Sequence, residues 1–112
     1  MSEKYILNSK GAPVRAKSLM QWAKWFESAD RSVARESLGD SEISTVFLAL
    51  DHNFFGKGPP ILWETMVFGG VLDQDQDRCS GSREQAEAMH QKMVLKVRMR
   101  QHLQNKAANR KQ

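Results

Sequence analysis

The spacing of apolar residues changes period several times along the chain, and each change marks an element. Residues 4–8 (KYILN) read as a short strand, ended by the breakers Gly11 and Pro13 in SKGAP. From Ser18 to Asp30 the period lengthens. Leu19, Trp22, Ala23 and Phe26 recur at i, i+3, i+4 and i+7, one stripe of a helix that Ser18 can cap, with Trp25 off the stripe. Residues 32–38 (SVARESL) and 43–51 (ISTVFLALD) read as strands joined in a hairpin at Gly39-Asp40. Ile43, Phe47 and Ala49 fall on one face of the second arm, and Val46, Leu48 and Leu50 on the other. Apolar residues on both faces predict a central strand covered on both sides. HNFFGKGPP (52–60) is a loop, and ILWETMVFG (61–69) is the next strand, stopped by Gly69-Gly70. VLDQDQD is an acidic connection, followed by a short edge strand at Arg78-Cys79-Ser80. Ser82 opens the last helix. Gln85 completes a capping box with it, Glu84 suits the positive end of the helix, and Ala86, Met89, Met93, Val94 and Val97 make the buried stripe.

The order β-α-β-β-β-α, with the edge strand as an addition, predicts an α+β fold: a mostly antiparallel sheet of about four strands with two helices packed on it. Residues 1–103 are expected to form one compact domain and 104–112 a basic, frayed tail. In an alternative arrangement the long last helix leaves the body and pairs with a second copy, giving a homodimer.

Composition narrows the function classes. The 112 residues are 40% hydrophobic and 27% charged, ordinary for a soluble domain. No stretch is apolar enough to span a bilayer, so no membrane partner is expected. The start, MSEKYILNSKGAP, lacks the apolar core of a signal peptide. The single cysteine, Cys79, leaves no internal disulfide and no Cys-rich zinc site, which fits a reducing cytoplasm. The net charge of +4 conceals an asymmetry. Residues 1–87 hold 10 Lys and Arg against all 13 Asp and Glu, whereas residues 88–112 hold 7 Lys and Arg and no acid. Lys96, Arg98, Arg100, Lys106, Arg110 and Lys111 are therefore the candidates for contact with nucleic acid or an acidic partner.

Candidate chemistry gathers at Asp51-His52-Asn53, where the central strand enters its loop. Glu64 lies within the following strand among apolar neighbours. If Asp51 pairs with Ile61, Leu48 faces Glu64, and His52 shares the face of Glu64. His90 approaches them if the last helix covers that face. Asp51, His52, Glu64 and His90 are thus the candidates for acid-base or metal chemistry. The alternative is that Asp51 and Asn53 shape a turn and that Glu64 pairs with an arginine such as Arg78. No local motif fixes a metal ligand set, GKGPP lacks the order of a phosphate loop, and no nucleophile elbow is present. No cofactor or metal is expected. A short loop cannot readily bury both Phe54 and Phe55, so these and Trp25 are the candidate contacts for a protein partner.

The segment ISTVFLALDHNFFGKGPPILWETMVFGG (43–70) resembles one found in small uncharacterised proteins of tailed bacteriophages and prophages. The flanking GAPV, MQWAKWFESADRSVA and EQAEAMH pieces are similar too, so the resemblance covers roughly residues 5–97. Members commonly carry an aromatic residue where Cys79 stands, and the basic extension after Val97 is particular to this chain. The resemblance implies an accessory protein in the cytoplasm of an infected bacterium, but no activity. The leading expectation is a protein that binds a host or phage protein, such as an inhibitor of a host defence or a host enzyme. The alternatives are nucleic-acid binding through the last helix and tail, a small metal-dependent or acid-base enzyme centred on Asp51, His52 and Glu64, and a component of the phage particle.

Overall fold

The first hairpin is only half visible in the sequence. In the computed structural model, which describes residues 3–110, β1 (Tyr5–Leu7) pairs antiparallel with β2 (Pro13–Arg15), Tyr5 lying opposite Arg15. Asn8 builds the turn between them. Its Oδ1 accepts from the backbone of Lys10 at 2.9 Å and Ala12 at 3.0 Å, and Gly11 takes a left-handed φ of 76°. Pro13 reads as a breaker in the sequence, yet proline is tolerated as the first residue of an edge strand.

Helix α1 (Leu19–Ser28) is capped by Ser18, whose hydroxyl accepts from Gln21 N at 3.1 Å. Its inward stripe differs from the expected one. Leu19 and Ala23 are exposed, while Trp22, Trp25 and Phe26 pack against the core. Trp22, Trp25, Phe26 and Ala29 also recur at i, i+3, i+4 and i+7. Two stripes thus satisfy the same period, and the one with more aromatic surface is buried. Trp25 meets Phe47 edge-on, with centroids 5.7 Å apart.

Strands β3 (Ser32–Leu38), β4 (Ser41–Phe47), β5 (Trp63–Phe68) and β6 (Gln76–Cys79) form an antiparallel sheet in that order. Gly39, at φ 57°, supplies the left-handed residue that the two-residue turn between β3 and β4 requires. Burial along β4 alternates strictly: Ser41, Ile43, Thr45 and Phe47 are buried, and the residues between them are not. This corrects the expectation of a strand covered on both sides. Helix α2 (Arg83–Arg110) lies over one face and buries Ala86, Met89, His90, Met93, Val94 and Val97 there. The other face carries Ser44, Val46, Glu64 and Met66, half-buried, and Phe68, exposed, with no helix over it among the described residues. The apolar run misleads because it is not one strand. Ala49 turns to φ 64°, and beyond it the chain runs beside β1, with Tyr5 N donating to Ala49 O at 2.9 Å.

Helix α2 is fixed at several points. Ser82 and Gln85 form the expected capping box. Lys96 Nζ reaches Asp75 Oδ2 at 2.6 Å, which holds that carboxyl below the usual aspartate range. Gln101 Nε2 donates to Leu38 O at 2.9 Å. Beyond Gln101 every residue to Arg110 is exposed, yet all are helical. The expected frayed tail is therefore an extension of the helix as far as Arg110. It contributes to the elongated outline of 61 × 30 × 21 Å. No helix among the described residues is long and apolar enough to cross a membrane.

Candidate functional site

The structure separates the four residues considered for acid-base or metal chemistry. Asp51 Oδ1 accepts from Asn53 N at 2.7 Å and Ile61 N at 3.0 Å, which closes the base of the 52–60 loop. His52 Nδ1 lies 2.8 Å from Leu50 O, and its ring sits beside Phe54. Glu64 projects from the open face of the sheet and pairs with Arg78 Nε at 2.7 Å. His90, on α2, turns its ring onto the opposite face of the sheet and is wholly buried. The assumed register fails in two ways. Val46, two residues earlier than Leu48, is the partner of Glu64, and the left-handed Ala49 ends the alternation before His52. Among the described residues no group of three or more His, Cys, Asp and Glu is placed to hold a metal ion.

His90 instead joins a network that the sequence reading missed. Its Nδ1 lies 2.7 Å from Thr45 Oγ1, which lies 2.6 Å from Thr65 Oγ1. Its Nε2 lies 3.3 Å from Glu36 Oε1, an oxygen that also accepts from Gln91 Nε2 at 3.4 Å. Hydroxyl, imidazole and carboxylate stand in the order of an activated nucleophile. Both hydroxyls, however, have no exposed surface, so no substrate reaches them. The network pins α2 to three strands and satisfies the buried polar atoms. Its signal in the sequence is positional. Thr45 alternates with Ile43 and Phe47, Thr65 alternates with Trp63 and Val67, and His90 falls one turn from Ala86 and Val94 on the buried stripe.

Cys79 is partly buried beside Trp63. Burial, reinforced by the charge of Asp77, pushes its thiol pKa up, which opposes formation of a nucleophilic thiolate.

The 52–60 loop is organised around Asn53. Its Nδ2 donates to Lys57 O and, at 3.1 Å, to Pro59 O, and its Oδ1 accepts from Phe55 N at 3.4 Å. The loop tip presents Phe54 and Phe55 at 70% and 92% exposure. Trp25, considered with them as a partner contact, belongs to the core wall instead. These two phenyl rings stand at the end of the sheet where β4 finishes and β5 begins.

The basic candidates lie at the other end. Lys96 is occupied by Asp75. Arg98, Arg100, Lys106 and Arg110 are exposed on α2 and form no ion pair among the described residues. Lys111 lies outside the described residues. Leu95, Met99 and Leu103 add exposed apolar surface along the same helix.

In comparisons with protein-family models, curated proteins and solved structures, none matches the chain.

Proposed function

We propose that this chain is a small accessory protein of a tailed bacteriophage that acts by binding a host or phage protein through the Phe54-Phe55 loop. One observation carries the binding surface: two adjacent phenyl rings stand in solvent on a loop whose shape is fixed by the side chains of Asp51 and Asn53. Exposed aromatic surface is costly to leave bare and is the commonest anchor of a protein interface. A loop already held in one shape loses little conformational freedom on docking. The phage setting and the bacterial cytoplasm rest on the resemblance of residues 43–70 and their flanks to phage proteins.

The test is a pull-down with the full chain from nuclease-treated bacterial lysate, alongside Phe54→Ser/Phe55→Ser. The pair of changes is expected to leave thermal stability within about 0.5 kcal/mol, as for exposed positions generally. It should also remove a stoichiometric protein that the unchanged chain retains. A partner retained by the variant, or no partner at all, overturns the reading.

A further inference from the structure

The end of α2 has a composition unlike the rest of the molecule. No Asp or Glu follows Glu87 in the chain. Between Arg98 and Arg110 the helix carries Arg98, Arg100, Lys106 and Arg110 together with the amides Gln101, Gln104, Asn105 and Asn109. Gln101 is the last of these to be fixed to the body. The nine residues after it extend the helix by about 13 Å and are exposed throughout. Gln104 and Asn105 still border a shallow cleft beside Gly39, Asp40, Gly70 and Val71, and the arm projects past it. Arg98 and Arg100 lie two residues apart, about 200° around the helix, so positive charge flanks it on both sides. Exposed Ala107 and Ala108 leave the last turns slim.

We infer that this projecting arm is a docking element for duplex DNA, entering the major groove. Its charge is complementary to a phosphate backbone on either side, and guanidinium and amide groups are the ones that read guanine and adenine edges. The diameter of a helix matches the B-form major groove of about 12 Å. The deep, narrow groove of duplex RNA excludes it. Charge also decides against the chief competitor for this surface, a second copy packed along Leu95, Met99 and Leu103, because that would press together the cationic, acid-free stretches that follow Glu87 in each helix. The aromatic loop is at the opposite end of the sheet and takes no part.

The test is fluorescence anisotropy of the full chain with a labelled DNA duplex of about two helical turns, the matched RNA duplex and polyglutamate. The comparison variant carries Arg98→Gln, Arg100→Gln, Lys106→Gln and Arg110→Gln, all at exposed positions. With four phosphates engaged, affinity for DNA is expected to fall about a hundredfold between 50 and 200 mM salt. The variant, with unchanged helix content and melting temperature, should lose most of that salt dependence and at least about tenfold in affinity at low salt. No binding of DNA by the unchanged chain at low salt overturns the assignment. So does equal binding by the variant, or RNA or polyglutamate bound as tightly as DNA. A variant that fails to fold is replaced by the single changes Lys106→Gln and Arg110→Gln, beyond the last contact with the body. Each is expected to remove about one unit of the salt slope, and no change in slope for either overturns the proposal.

Discussion

The imidazole of His90 has no contact with water, yet both of its nitrogens have polar neighbours: Thr45 on one side and Glu36 on the other. Replacing it by an apolar side chain leaves the Thr45–Thr65 pair with one partner fewer in a closed space. A buried polar group deprived of its partner costs about 1–3 kcal/mol. His90→Leu is therefore expected to lower unfolding free energy in urea by that order, and Thr45→Val by about 1 kcal/mol. Because the two share one bond, the double variant should lose less than the sum of the singles. Simple additivity would show that the network contributes no coupling. The roles of Asp51 and Glu64 were legible as alternatives in the sequence, since turn-forming Asp and a strand Glu near Arg78 are common local solutions. The His90 network was not, because it joins residues 45 and 54 positions apart, which only the packing of α2 across the sheet brings together.

At the scale of elements, local rules read well where the deciding partner is close in sequence. Ser18 caps α1, Gly39-Asp40 closes its hairpin, and Ser82 with Gln85 starts α2, each as expected. The inward stripe of α1 and the one-sided burial of β4 were not legible, because each depends on what lies across the core. Helix α2 combines both cases. Its first four turns are held by burial, and once that nucleus exists each added residue extends the helix without a new nucleation step. The arm therefore remains helical although all of its side chains are exposed. Ending the chain after Gln101 should thus leave the body intact, with denaturant stability within about 0.5 kcal/mol of the full chain. A loss of several kcal/mol would mean that the arm leans on the body.

For the whole molecule, the arrangement is polar in the geometric sense. The Cα radius of gyration is 16.8 Å, against about 13 Å for a compact domain of this length. The aromatic loop and the cationic arm lie at opposite ends of the sheet. Between them lies a sheet with a helix on one face and, among the described residues, none on the other. That bare face makes tolerance to change the thing to measure. In a library of single substitutions through β4, Ser41, Ile43, Thr45 and Phe47 should resist replacement, Phe47→Ala losing about 3–5 kcal/mol. Glu42, Ser44 and Val46 should accept most polar residues within about 0.5 kcal/mol. Survival plotted against position would form a comb with a spacing of two. If the gaps in that comb filled only in living cells, and not in purified protein, the intolerant positions would trace the outline of whatever rests on that face in the cell.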